Sequence, residues 1–361
     1  PLVKFLASPP GVLNISSLKN SHYWFELASA SDVSYQVYED YLERIRFELD
    51  DIRSSKYYQG RLALRKAQQA REQENLAQAI TYYLEAMDKG NLQIQIEASL
   101  FLSRLYQQNG EQAEYEKLME RVLNLIADLP AIEFTSCSDI DLLGGYIGQR
   151  DIELGLPVHI LLVWEPDVDD VDKIRVNDEK WNFFVWKDKI FQVGVSENLI
   201  LDGAFNKVVK PYQGPPKGFF RTYGNRQELS HTSLMMDGYN VERGMILEIY
   251  GNGKGYGGVQ SFPESVSSEV GYLVNGYYRS DEDAKPRIGV HWWLEDSKSG
   301  YDYTVTQPAT TWTYFAGLSL PPQAATHGRL LVNEVNPDAH LWVDSLGFWK
   351  IPLPDSFDCS E

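Results

Sequence analysis

Residues 271–280 read GYLVNGYYRS and residues 287–296 read RIGVHWWLED, two runs in which large apolar side chains alternate with polar or charged ones. A period of two is the mark of a strand with one buried face. In the second run Ile288, Val290, Trp292 and Leu294 fall on one side, and Arg287, His291, Trp293 and Glu295 on the other. In the first, Tyr272, Val274 and Tyr278 oppose Asn275, Tyr277 and Arg279. One side of each strand reads as core and the other as a surface rich in rings and planar polar groups.

Outward from these strands the texture is uniform. From Glu197 to Pro354 about eight β-runs are separated by Gly, Pro, Asp and Asn clusters with no helical period, which is the sequence form of a sandwich or jelly roll. Between Leu142 and Val195 the runs PVHILLVW, WNFFVW and KIFQVGV also read as strands, and their short span predicts a small β-sandwich leaning on its neighbours. The acidic turn DVDDVD at 167–172 interrupts them and reads as solvated.

Upstream of Pro130 the period changes to that of helices. Runs GRLALRKAQQAREQE, LAQAITYYLEAMDKG, QIQIEASLFLSRLYQQNG and EQAEYEKLMERVLNLIADLP follow one another with short polar breaks. Ala67, Ala79 and Ala86 sit where paired helices must approach closely, with Tyr83 filling the space between. A further stripe of Val33, Val37, Tyr41, Ile45 and Leu49 predicts a helix over residues 31–53. The expected fold is therefore multidomain, α plus β. A lead-in and helix occupy 1–55, helical hairpins 56–130, the small β-sandwich 131–195, the jelly roll 196–354 and a tail 355–361.

Two resemblances sharpen this. Ala79, Tyr83 and Ala86 match the second-helix pattern of a tetratricopeptide repeat, and Leu102, Ser103, Tyr106 and Gly110 the first-helix pattern of a following unit. The C-terminal region resembles the carbohydrate-binding jelly-roll modules attached to many bacterial cellulases and xylanases, within the galactose-binding-like fold. The resemblance rests on NLILDGAFN at 198–206, GYGGVQSF at 255–262, GYLVNGYYRS, RIGVHWWLED, TTWTYFAGLSLPP at 310–322 and LWVDSLGFWKIP at 341–352, in that order.

The second resemblance implies a glycan ligand, held where sugar C–H faces stack on rings and hydroxyls meet planar polar groups. Asn275, Tyr277, Arg279, Arg287, His291, Trp293 and Glu295 are the expected contacts, on one concave surface. It also implies a structural calcium ion, with Asp202 and Asp344 as ligands. Asn206 stands where the family has Glu, and Ser345 where it has a second Asp, so part of that oxygen set is missing.

The 361 residues carry a net charge of −18, from 51 acidic against 33 basic side chains. That excess repels nucleic acid and anionic membranes and favours neutral or cationic partners. No run approaches the length of a membrane span. Chemistry is absent from the motifs as well: GKGYGG at 253–258 has the letters of a dinucleotide loop without a βαβ unit around it, and six scattered histidines show no metal-ligand spacing. Cys137 and Cys359 are compatible with a disulfide or with two free thiols. The expectation is a non-catalytic, exported binding protein, periplasmic or extracellular, with a protein partner on the hairpins. The chain opens at Pro1 rather than Met, so an upstream segment is expected. A structural subunit without a small ligand is the alternative, and a glycoside hydrolase the lesser one.

Overall fold

The computed structural model describes residues 56–134, 140–148, 152, 158–166, 181–200, 203–205, 212–213, 215–216, 218–221, 231–236, 245–250, 257–267, 270–294 and 299–353. The expected helix at 31–53, the acidic turn at 167–172, both cysteines and the tail lie outside the described residues.

The described helices are α1 (Lys56–Glu72), α2 (Leu76–Lys89), α3 (Leu92–Gln108) and α4 (Gln112–Ile126). They pack as two hairpins, α1 with α2 and α3 with α4. Asn75 and Asn91 start α2 and α3 by accepting the backbone N–H of Gln78 and Ile94 (3.2 and 3.1 Å), which satisfies donors that a helix start leaves unpaired. Ala67, Ala79, Ala86 and Tyr83 are all fully buried, as the pattern of small residues around one large ring predicts.

The strands are β1 (Glu133–Phe134), β2 (Ile140–Ile147), β3 (Val158–Pro166), β4 (Trp181–Trp186), β5 (Lys189–Ser196), β6 (Tyr212–Gln213), β7 (Phe219–Arg221), β8 (His231–Met236), β9 (Met245–Tyr250), β10 (Gly257–Ser261), β11 (Glu264–Ser265), β12 (Val270–Ser280), β13 (Pro286–Leu294), β14 (Ser299–Val305), β15 (Thr313–Ser319), β16 (Ala325–Glu334) and β17 (His340–Pro352). Among the described residues they form three sheets. The seven-stranded sheet runs β1-β15-β12-β17-β9-β8-β6, the six-stranded sheet β14-β13-β16-β10-β7 with β11 beside β16, and the four-stranded sheet β2-β3-β5-β4.

The seven- and six-stranded sheets face each other as a β-sandwich. Tyr272, Val274, Leu341, Val343 and Phe348 from one meet Ile288, Val290, Trp292, Leu330 and Val332 from the other in a single apolar core. The segment NLILDGAFN, expected as an opening strand, is irregular over its described residues. Asn198 replaces a ladder there: its Nδ2 donates to the Leu346 carbonyl (2.9 Å) and its Oδ1 accepts the Phe348 N–H (3.0 Å).

The four-stranded sheet corrects the expected small β-sandwich. It is one antiparallel sheet with both faces covered. Leu161, Val163, Phe184, Phe191 and Val193 pack on the helices, while Ile160, Leu162, Trp164 and Ile190 pack on the outer face of the seven-stranded sheet through Leu273, Leu318, Trp349 and Ile351. The near-continuous apolar run of β3 is the sequence trace of that double burial. The order of layers is helices, four-stranded sheet, seven-stranded sheet, six-stranded sheet.

Polar contacts fix the first interface. Glu97, buried in α3, accepts from Arg61 of α1 (2.7 Å) and from Gln93 (2.8 Å), whose amide also reaches the His159 carbonyl of β3 (3.1 Å). Arg104 lies over the Phe184 ring (4.0 Å) and donates to the Phe183 carbonyl (2.8 Å). Burial and the neighbouring Arg61 hold His159 well below the usual imidazole range.

Candidate functional site

The outer face of the six-stranded sheet is the one sandwich face that no other described sheet or helix covers. Strand pairing sets which side chains reach it. His291 lies opposite Arg329 and Tyr301, Trp293 opposite His327, Arg287 opposite Asn333, and Gly289 opposite Leu331 and Tyr303. On the far strands Gln260 pairs with Leu331 and with Phe220.

Large rings stand open on this face: Trp293 is 44% exposed, Tyr301 47%, Tyr303 38% and Phe262, just beyond β10, 57%. Cations are layered between them. Arg329 lies 4.2 Å from the Trp293 ring and 4.8 Å from Phe220, and its Nη1 donates to Gln260 Oε1 (3.4 Å). Arg287 lies 5.4 Å from Tyr303 and donates to the Thr306 carbonyl (3.3 Å). Tyr301 stacks on His291 at 4.6 Å and on Tyr303 at 5.7 Å, while Phe220 stacks on Phe262 at 6.4 Å.

His291 is buried beneath these rings, and neither ring nitrogen has a hydrogen-bond partner among the described residues. Desolvation, helped by the positive charge of Arg329, lowers its pKa to about 4. Asp302, between the two exposed tyrosines, points the other way and accepts from the buried Trp292 Nε1 (2.8 Å); its burial raises its pKa. Gly289 is required beside it, because a Cβ there would run into the Asp302 carbonyl.

The expected single surface divides in two. Arg287, His291 and Trp293 belong to the six-stranded sheet, whereas Asn275, Tyr277 and Arg279 lie on β12 of the seven-stranded sheet, whose outer face points in the opposite direction. The alternation along each strand is as expected; the pairing of those two strands is not. Asn275 is fully buried and accepts from Trp349 Nε1 (2.7 Å), so it serves the sheet interface and not a surface. Tyr277 is half-buried edge to face with Tyr314 (5.4 Å). Arg279 lies between Trp342 (4.6 Å) and Trp312 (5.4 Å), in a row continued by His340 and Tyr250, with Glu248 accepting from Trp342 Nε1 (3.2 Å). Glu295 lies outside the described residues.

Tyr301, Tyr303, Arg329, Gln260, Phe220 and Phe262 complete the open face and were not among the expected contacts. The alternation of SGYDYTV at 299–305 carried the signal for the two tyrosines; the others depend on which strands pair.

Of the expected calcium ligands, Asp202 lies outside the described residues. Asp344 is buried, and its Oδ1 accepts the N–H of Ser345 (2.6 Å), which has the left-handed φ of 51°. Among the described residues no three His, Cys, Asp or Glu side chains gather as metal ligands. None of the described helices is long and apolar enough to cross a membrane.

No protein-family model matches the chain, and no curated protein matches it. Among solved structures it is similar to the CBM22-1 xylan-binding domain from Paenibacillus barcinonensis, with 14% identity over 40% of this chain and 94% of that one and a TM-score of 0.31. It is also similar to a family 16 carbohydrate binding module, with 15% identity, coverage of 35% and 88% and a TM-score of 0.27. A third is the enzymatically active domain of the bacteriophage CBA120 tailspike protein 4, with 9% identity, coverage of 43% and 21% and a TM-score of 0.30.

Proposed function

We propose that the chain is a non-catalytic glycan-binding protein that takes a polysaccharide strand across the outer face of the six-stranded sheet. The observation that carries this reading is the set of open rings Trp293, Tyr301 and Tyr303 on one sheet face, interleaved with Arg287 and Arg329. Pyranose C–H faces pack on such rings, and guanidinium and amide groups satisfy the hydroxyls between them. In this reading the sandwich is a jelly roll of the carbohydrate-binding kind, the hairpins of tetratricopeptide type contact a protein partner, and the protein is exported.

Affinity electrophoresis through gels containing soluble polysaccharides tests the proposal. Wild-type protein is retarded in at least one gel, and Trp293→Ala and Tyr301→Ala abolish the retardation while circular dichroism stays native. Unchanged retardation in both variants would move the ligand elsewhere. Loss of assembly with another protein, without any glycan effect, would favour a structural subunit.

A structural calcium at Asp202 and Asp344 belongs to the same reading. Chelation with EDTA then lowers the melting temperature of the wild type and has no effect on Asp344→Asn. An identical melting temperature with and without chelator removes the ion from the account.

A further inference from the structure

We infer that the seam between the helical hairpins and β4 is an anion site that takes one carboxylate between Arg71 and Arg104, with the Tyr83 hydroxyl as a further donor. The site is separate from the open face of the six-stranded sheet and does not depend on the glycan reading. The carboxylate comes from a free organic acid or from an acidic side chain of a protein held by the hairpins.

Tyr83 is the residue that points to a ligand. It is fully buried on α2, and its hydroxyl has no hydrogen-bond partner among the described residues. A buried polar group of this kind costs stability unless an acceptor reaches it. The rings around it lead to two cations. Tyr83 stacks on Phe101 of α3 (6.3 Å), and Arg71, from the last turn of α1, lies over the same Phe101 ring (5.8 Å). Phe101 in turn meets Phe184 of β4 edge to face (5.3 Å), and Arg104 of α3 lies over Phe184 (4.0 Å). The packing of α1, α2, α3 and β4 thus gathers donors around one pair of phenylalanine rings.

Neither guanidinium has a counter-charge bonded to it among the described residues. Arg104 donates to Asn182 Oδ1 (3.2 Å) and to the Phe183 carbonyl (2.8 Å), which fix its plane on β4 without supplying a charge. Arg71 is half-buried and forms no ion pair, and Glu72, exposed beside it, pairs with neither arginine. Burial, with repulsion from Arg71, lowers the pKa of Arg104, and burial raises that of Tyr83 against the positive charges of Arg71 and Arg104. Like charges so placed disfavour each other until an anion lies between them. Arg71 and Arg104 against Glu72 leave one positive charge in excess at the Tyr83 hydroxyl, which a single carboxylate balances. Guanidiniums stacked on rings keep in-plane N–H groups for its two oxygens.

NMR of the arginine Nε–Hε groups in the full chain tests the inference, with the Arg71 and Arg104 signals assigned through Arg71→Gln and Arg104→Gln. The probes are butyrate, a capped peptide with a single glutamate, and phosphate, each titrated at constant ionic strength. Both signals are expected to move saturably with butyrate or the peptide. Arg71→Gln weakens binding about tenfold, the size of one charge-assisted hydrogen bond. Tyr83→Phe keeps the ring and weakens binding about threefold, while its melting temperature without ligand stays at or above that of the wild type. Arg104→Gln also releases β4 from α3, so the other two variants carry the test. Peptide binding at least tenfold tighter than butyrate assigns the carboxylate to a protein segment, and equal affinities assign it to a free acid. No saturable shift at either arginine, phosphate binding tighter than both carboxylates, or unchanged affinity in both Arg71→Gln and Tyr83→Phe overturns the site.

Discussion

Gln192 and Trp164 are locked together between two sheets: the Trp164 indole donates to Gln192 Oε1 (2.9 Å), and Gln192 Nε2 donates to the Pro352 carbonyl (2.8 Å). Both side chains are fully buried, and Pro352 ends the last strand of the seven-stranded sheet. The amide therefore fixes the four-stranded sheet on the sandwich by orientation as well as by apolar contact. Replacement by Leu keeps much of the volume and strands an indole N–H and a carbonyl. Gln192→Leu should cost about 2 to 6 kcal/mol, since each of the two buried unsatisfied groups costs roughly 1 to 3. Urea denaturation measures this, with polysaccharide retention unchanged in native conditions.

Asn275 supplies a contrasting case. Its carbonyl oxygen holds the Trp349 indole in the interface, far from the open face. Asn275→Ala should lower stability by about 1 to 3 kcal/mol. It should leave retention on any polysaccharide as in the wild type, whereas Trp293→Ala should do the reverse. Loss of retention in Asn275→Ala with native melting behaviour would return the ligand to the other sheet.

His291 makes the sandwich acid-sensitive with a defined sign. Its folded pKa, about 4, is below the ordinary 6.5, so on acidification the unfolded chain takes up the proton first. The stability that comes from keeping the ring neutral is complete above pH 6.5 and is lost progressively as pH falls toward 4, up to roughly 3 kcal/mol. His291→Gln should remove that share of the slope. Melting curves at half-unit steps between pH 7.5 and 4.5 provide the comparison, and parallel slopes for the two proteins would place the acid sensitivity in other groups.

The buried Arg61–Glu97 pair is the corresponding weak point of the helical layer, with the Glu97 side chain 2% exposed. Glu97→Ala leaves Arg61 beside His159 without its nearest counter-charge and should destabilise by about 3 to 5 kcal/mol. Replacing Arg61 and Glu97 together by Met and Leu should recover most of that. A double variant as unstable as Glu97→Ala would show that the pair specifies packing beyond its charges.

Much of this was legible in the sequence because it is periodic. Alternation in RIGVHWWLED places Trp292 in the core and Trp293 in solvent, and the Ala67, Ala79, Ala86 and Tyr83 pattern gives the close helix packing. Strand partnership was not legible. Alternation gives the face of each strand but not its sheet, so sequence alone groups Tyr277 and Arg279 with Trp293 although they point in opposite directions. The covering of the seven-stranded sheet was hidden for a related reason: Leu273 and Trp349 look like outward residues until another sheet is laid on them.

The stacking of helices, four-stranded sheet, seven-stranded sheet and six-stranded sheet puts the open rings and the helical hairpins at opposite poles of the molecule. Face-to-face sheets lie about 10 Å apart. A body grasping the hairpins thus stands some three layers, on the order of 30 Å, from anything lying across Trp293 and Tyr301. In the proposed reading, simultaneous occupancy of both ends brings no steric conflict, because the packed sheets between them set the two faces apart.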